Sequence, residues 1–158
     1  MFVLIRTITY ASFFIGFVLV FLPARILSWS GMVRPSAMDM PQILGALIGT
    51  IGAAVALWCV FSFALIGKGT PAPFDPPRRL VIRGPYRFVR NPMYIGALLA
   101  LGGTALFFQS IPLLLFCGGF LLCTHFFVVF YEEPTLHRTF GADYDAYRRN
   151  VRRWLPGA

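Results

Sequence analysis

Two short polar blocks frame a long apolar stretch and hold most of the side chains that could do chemistry. The first block, residues 83–96, contains arginines, tyrosines, an asparagine and two prolines. The second is the run Tyr131-Glu132-Glu133-Pro134. Residues 93–130 between them contain no Asp, Glu, Lys or Arg. If this stretch folds back on itself, basic, phenolic and carboxylate groups meet at one end, where they could bind a ligand that carries charges of both signs.

The first block ends in a predicted helix start. Asn91 is placed as its N-cap and Pro92 as its first residue, which are favoured positions for both residue types. Arg90 and Tyr94 then share one face, one turn apart. Free N–H groups at a helix N-terminus attract anions, so a carboxylate or phosphate of a ligand would fit there. The alternative is an arginine that anchors the helix at lipid headgroups beside an interfacial tyrosine.

The double carboxylate is harder to explain without a ligand. We predict that Glu132 and Glu133 lie where the last apolar helix ends, although a helix C-terminus opposes negative charge. Inserting such a charge into a bilayer costs about 2.5 kcal/mol or more, so a partner must offset it. That partner is either an arginine of the chain, such as Arg87 or Arg138, or a ligand with an ammonium, a sulfonium or ribose hydroxyls.

A histidine inside an apolar segment is a functional candidate by default. His125 precedes Glu132 by seven residues, so it lies on roughly the same helix face two turns away. A structural hydrogen bond to a backbone carbonyl is the alternative role. Cys123 and His125 point to different sides of a helix, and no ligand set has zinc spacing. We therefore expect no metal.

The composition predicts an integral membrane protein. Of the 158 residues, 58% are hydrophobic and 13% are charged, whereas a soluble domain has about 25% charged residues. A spanning helix needs about 20 apolar residues. We expect one all-α domain over residues 1–158, with four spans at about residues 2–22, 43–66, 93–108 and 111–131. The last two are separated by a turn at Gln109-Ser110-Ile111-Pro112, where a proline can start a new helix.

The distribution of basic residues predicts the orientation. They are concentrated between spans two and three and after span four, so both termini and both polar blocks should face the cytoplasm. The same topology explains the net charge of +8 without nucleic-acid binding.

A proline-rich linker is expected at residues 67–77. The tail repeats apolar residues at helical spacing, which predicts an amphipathic helix lying on or under the bilayer; these residues are Leu136, Phe140, Tyr144, Tyr147 and Val151.

Small residues at helical spacing mark span two. Gly45, Gly49 and Gly52 lie three or four residues apart, which allows another helix to approach closely. That neighbour is either another span of the same chain or a second copy.

Taken together, these motifs resemble the integral membrane methyltransferases grouped as isoprenylcysteine carboxyl methyltransferases and phospholipid N-methyltransferases. The similarity covers residues 80–156. It rests on Gly84-Pro85-Tyr86, on Arg90-Asn91-Pro92-Met93-Tyr94-Ile95-Gly96 and on Glu132-Glu133. A tail follows that is similar to that of many bacterial members, with Phe140-Gly141, Tyr144, Tyr147, Val151, Arg153 and Pro156.

The resemblance implies S-adenosylmethionine as the methyl donor and a lipophilic or lipid acceptor, in contact with membrane lipids, in the cytoplasmic membrane of a bacterium. It implies that a set of polar side chains binds the cofactor: Tyr86, Arg87, Arg90, Asn91, Tyr94, Glu132 and Glu133. Arg153 would contact the substrate or close the site. A carboxylate or thiolate acceptor needs no base, whereas an amine must lose a proton, which Glu132, Glu133 or His125 could take. We therefore place Arg153, Glu133 and His125 in catalysis.

The acceptor class stays open. Many carboxyl-methylating members have histidine at the position of Asn91, and asparagine cannot act as a titrating base. Asn91-Pro92-Met93-Tyr94 and Tyr131-Glu132-Glu133-Pro134 resemble the phospholipid branch, whereas the tail resembles the carboxyl-methylating branch. Two other functions remain as alternatives. One is an NADPH-dependent membrane reductase of the sterol-reductase type, and the other is a membrane carrier or assembly protein without enzymatic activity.

Overall fold

The computed structural model describes residues 9, 12–31, 35, 38–62, 65 and 80–156, and these are helical or irregular, without a strand. Helix α1 is Leu22–Trp29 and continues a π-helical segment, Ile15–Phe21. Helix α2 is Met40–Ser62, and α3 is Pro92–Phe107. Helix α4, Ile111–Phe127, leads through a π-helical turn, Val128–Glu132, into α5, Glu133–Phe140. Helix α6, Ala142–Asn150, follows. The predicted all-α class is confirmed.

Three helical segments of the described chain are long and apolar enough to cross a membrane, namely Ser12–Trp29, Met40–Ser62 and Ile111–Phe140. Helix α3 is apolar but has only 16 residues, which gives it a length of about 24 Å. It is therefore shorter than the roughly 30 Å of a hydrocarbon core. The chain has the helices of an integral membrane protein, and the fourth span stays a prediction.

Two predicted span boundaries differ from the structure. The first helix does not end at residue 22 but continues to Trp29, because Pro23 lies in the first turn of α1, where no N–H is needed. Most of residues 1–11 lie outside the described residues, as does the predicted linker at 67–77. The second helix begins at Met40 and is described as far as Ser62, whereas we predicted 43–66.

Helices α2 and α3 pack with their backbones in contact. A Cβ atom added to Gly45 would lie 2.7 Å from the Gly103 carbonyl oxygen, and one added to Gly96 would lie 2.8 Å from that of Gly52. Both distances are too short for a real Cβ contact, so only glycine fits at these positions. Gly49 also faces α3, where an added Cβ atom would lie 3.8 Å from the Ala100 carbonyl oxygen. The small-residue face predicted in span two therefore packs inside the chain.

The predicted turn between α3 and α4 is confirmed. Gln109 adopts a left-handed conformation with φ 49°. The Ser110 hydroxyl accepts a hydrogen bond from the Leu113 N–H at 3.4 Å and caps α4. Across the bundle, the Gln42 amide donates to the Phe107 carbonyl oxygen at 3.3 Å. Backbone groups at this apolar end are thus partly satisfied by side chains, as a membrane environment requires.

The prediction that the helix ends at the double carboxylate is wrong. The helical path runs without a break from Ile111 to Phe140, and Glu132 and Glu133 lie within it. Pro134 lacks an N–H and would clash with the preceding turn of a regular α-helix. The π-helical turn just before it changes the hydrogen-bond register and places Pro134 in the first turn of a new helix. The helix therefore continues past the proline.

The tail forms two helices rather than the single amphipathic helix that we predicted. Gly141, with φ 51°, separates α5 from α6. The tail residues with helical spacing nevertheless meet in one cluster, together with the segment before the first polar block; its members are Leu80, Leu136, Phe140, Tyr144, Tyr147 and Val151. Their apolar side chains are covered by one another. Contact of this tail with the membrane surface stays a prediction.

Adjacent glycines on α3 provide a test of the backbone contact. Gly103→Ala should destabilise the protein by about 1 to 3 kcal/mol, because the new methyl group meets the α2 backbone. Gly102→Ala is the matched control, since a Cβ there would meet nothing within 4 Å. Thermal unfolding in detergent, followed by circular dichroism, measures both. Equal stability of the two variants would contradict the packing described.

Candidate functional site

Four segments meet at the end of the α3–α4 hairpin that carries both polar blocks. They are the loop of residues 83–91 with its 3-10 turn Gly84–Arg87, the start of α3, the start of α5, and residues 152–154 after α6. We refer to residues 152–154 as the C-terminal strap. The Arg90 N–H donates to the Arg152 carbonyl oxygen at 2.9 Å, so the strap runs alongside the loop.

Glu133 is shared by two arginines. Arg153 binds it with both arms of its guanidinium, Nε to Oε1 at 2.7 Å and Nη2 to Oε2 at 2.9 Å. Arg90 Nη1 reaches Oε1 at 3.0 Å. The side chains of Arg90 and Glu133 are only 11% and 10% exposed, and such charge-assisted pairs are strong when they are shielded from water. Hydrogen bonding to Glu133 raises the pKa of Arg153 above its usual value. The cluster keeps one net positive charge.

Arg90 has one donor that no described residue satisfies. Its Nη1 also donates to the Tyr144 hydroxyl at 3.3 Å. Its Nε is buried and has no hydrogen-bond partner among the described residues. Buried polar groups are rarely left in this state. An acceptor supplied by a ligand would complete the coordination of this guanidinium.

Asn91 starts α3 as predicted but does not cap it. It holds the N-cap position with Pro92 next to it, yet its side chain makes no capping bond. Instead, its amide Nδ2 donates to the Arg153 carbonyl oxygen at 3.2 Å. Asn91 therefore ties the helix start to the strap, and the first N–H groups of α3 are left without a side-chain cap.

Glu132 has a different environment from its neighbour. Its Oε2 accepts a hydrogen bond from the Tyr94 hydroxyl at 3.1 Å. Tyr86 is buried nearby with Cys59, and its backbone oxygen accepts from the Tyr147 hydroxyl at 2.6 Å. Burial raises the pKa of the Tyr86 phenol well above its usual value, and the charge of Glu132 raises it further. The Tyr86 phenol therefore remains protonated.

Not every predicted residue joins this group. Arg87 is exposed, and its guanidinium lies over the ring of Phe88, 5.5 Å from the ring centroid. His125 instead contacts the strap, where its Nδ1 accepts a hydrogen bond from Trp154 Nε1 at 3.2 Å. Among the residues that the structure describes, no three of His, Cys, Asp and Glu form a possible metal site.

Three residues that the motifs did not mark as polar contacts build the site. Tyr144 and Tyr147 were expected only as apolar residues of the tail, yet their hydroxyl groups contact Arg90 and the Tyr86 carbonyl. A tyrosine at an apolar position is the available signal, because a buried phenol needs a hydrogen-bond partner. Trp154 occupies an unspecified position of the tail pattern and could not have been selected from it.

The chain belongs to the phospholipid methyltransferase family. The model of that family matches residues 40–143, about two thirds of the 158 residues. The match includes α2, α3, α4 and both polar blocks. Comparisons with curated proteins and with solved structures found no match. The expected kinship with membrane methyltransferases is confirmed, and with the apolar helices it defines an integral membrane protein of a methyltransferase family.

The two adjacent carboxylates should differ in their effect on stability. Glu133→Gln should lower the free energy of unfolding by about 1 to 3 kcal/mol, since it leaves two arginines without their charge partner. The lower part of this range is expected, because Arg153 is about one-third exposed. Glu132→Gln should have little effect, since Tyr94 can donate to the amide oxygen as well. Thermal unfolding in detergent measures both, and a larger loss in Glu132→Gln would contradict the description of the cluster.

Proposed function

We propose that this protein transfers a methyl group from S-adenosylmethionine to a lipophilic acceptor at the cytoplasmic face of the membrane. The observation that carries the proposal is the pairing of opposite charges at one site. Arg90 has a buried donor without a partner among the residues that the structure describes, and Glu132 is a carboxylate held only by a neutral phenol among its described hydrogen bonds. S-adenosylmethionine is a zwitterion with an additional sulfonium charge, so it needs both kinds of group.

The anionic part of the cofactor fits the start of α3. The Nε–H of Arg90 offers an unused hydrogen bond, and the uncapped N–H groups of the helix and its dipole favour a carboxylate there. Asn91 holds the start of α3 against the strap through its hydrogen bond to the Arg153 carbonyl oxygen. Tyr94 extends the same face by one turn.

The cationic part fits Glu132 better than Glu133. Two arginines already neutralise Glu133, so a third cation would have to displace one of them. Glu132 has only the neutral phenol of Tyr94 among its described hydrogen bonds, and it can accept further hydrogen bonds from an ammonium group or from ribose hydroxyls. We assign direct cofactor contact to Glu132, and to Glu133 the task of holding Arg90 and Arg153.

The chemistry asks little of the protein beyond positioning. When bound, S-adenosylmethionine supplies a methyl group that is already electrophilic. The side chains around the site have to align the acceptor and exclude water. Arg153, which is partly exposed, is placed to contact an anionic group of the acceptor. If the acceptor is an amine, Glu132 is the carboxylate available for its proton, whereas a carboxylate or thiolate needs no base.

Calorimetry on the detergent-purified protein tests the cofactor. Wild type should bind S-adenosylmethionine saturably, NADPH should not compete, and Glu132→Gln should weaken binding by at least about tenfold, as expected for a lost charge-assisted hydrogen bond. Asp145→Asn is the matched control, because that carboxylate pairs with His137 at the surface away from the site. Folding of each variant is checked by circular dichroism.

The outcomes separate the candidate functions. Binding of NADPH in preference to S-adenosylmethionine would replace the proposal with a membrane reductase. If folded wild type binds neither, a carrier or assembly protein is the better description. Binding of S-adenosylmethionine that Glu132→Gln leaves unchanged would keep the cofactor but overturn the site assignment.

The acceptor class can be read from the product. Protein in lipid vesicles is incubated with methyl-labelled S-adenosylmethionine and either phosphatidylethanolamine or a prenylated cysteine. A methyl ester releases labelled methanol on mild alkaline treatment, whereas an N-methyl group is retained. If neither phosphatidylethanolamine nor the prenylated cysteine becomes labelled, both are excluded as acceptors.

A further inference from the structure

The C-terminal strap is fixed at both ends and along its length. Val151, which precedes it, is buried in the tail cluster with Tyr144 and Tyr147. Along the strap, the carbonyl oxygens of Arg152 and Arg153 accept from Arg90 and Asn91. At the far end, Trp154 contacts His125 on α4. The strap therefore holds two residues of the cofactor-binding set through its backbone.

The contact at the far end is specific in geometry. Trp154 Nε1 lies 3.2 Å from His125 Nδ1, and the two rings stack with centroids 6.0 Å apart and planes at 30°. The indole N–H can only donate a hydrogen bond, so Nδ1 of the histidine must accept. The imidazole is then neutral, with its proton on Nε2. In this tautomer, the acceptor nitrogen Nδ1 of His125 is already occupied by the hydrogen bond from Trp154.

We propose that Trp154 and His125 are positioning residues that fasten the strap to the membrane helix α4, and that cofactor affinity depends on this fastening. The inference rests on the proposed function of the same site. Arg153 lies directly before Trp154, so the contact fixes the backbone from which Arg153 reaches Glu133 and Asn91. Without the hydrogen bond between Trp154 and His125, this end of the strap is free to move. The strap carbonyl groups then hold Arg90 and Asn91 in position less firmly. His125 thus acts through the strap rather than on the reacting atoms.

Binding of S-adenosylmethionine to single and double variants in detergent tests the proposal. Trp154→Phe keeps a ring but removes the donor, and His125→Phe keeps a ring but removes the acceptor. Each should weaken binding by about three- to tenfold, the range expected for one neutral hydrogen bond. The double variant should be no weaker than either single variant, because both remove the same contact. His125→Asn places an amide oxygen near the position of Nδ1 and should restore most of the affinity.

Controls separate this role from a general loss of folding. Trp29→Phe makes the same chemical change at an exposed tryptophan on α1 and should leave binding unchanged. The melting temperature of each variant is measured alongside. Nitrogen-15 NMR of the histidine rings in the wild type should show Nδ1 of His125 without a proton, and this readout does not depend on any variant folding.

Four results would overturn the inference. One is unchanged affinity in Trp154→Phe while wild type binds the cofactor. Another is full additivity in the double variant, and a third is failure of His125→Asn to restore binding. The fourth is a proton on Nδ1 of His125. Absence of binding in folded wild type is a different outcome, because it removes the proposed function itself and the inference with it.

Discussion

The bridge between Glu133 and its two arginines is the contact on which the arrangement of this site depends. It joins the loop before α3, the start of α5 and the segment after α6, which are separated along the chain by the α3–α4 hairpin and by helices α5 and α6. A buried carboxylate with a single partner would be costly, since its desolvation has to be offset by good geometry. The two-armed contact from Arg153 provides that geometry, and Arg90 then remains beside the pair with one donor that no residue in the described part of the chain accepts.

The adjacent carboxylates have different partners. Consecutive residues of a helix point in different directions, so Glu133 reaches the arginines while Glu132 reaches Tyr94. The π-helical turn that ends at Glu132 sets this division, because it determines where each side chain emerges. Such turns are frequent at functional sites. Here the turn also allows the helix to continue through Pro134, so the carboxylates lie on a rigid segment rather than at a frayed end.

Local chemistry made part of the fold predictable. The helix start at Pro92 and the turn before Pro112 follow from proline preferences, and the α2 glycines predicted close packing by their spacing. The continuation through Pro134 was missed, because the expected edge of the bilayer suggested that the helix ends at Glu132 and Glu133. The partners of Glu133 were missed for another reason. Arg90 and Arg153 are distant in sequence, and no local pattern distinguishes them from Arg87 or Arg138.

The glycine contact between α2 and α3 also restricts where a membrane-dissolved molecule can travel. Where Gly45 meets Gly103 and Gly52 meets Gly96, the two backbones leave no room even for a methyl group. A hydrocarbon chain cannot slide between these helices to reach the polar end of the bundle. A molecule that diffuses in the plane of the bilayer therefore cannot enter the bundle between α2 and α3. A hydrophobic molecule that reached the polar end from the bilayer would have to pass along another pair of helices.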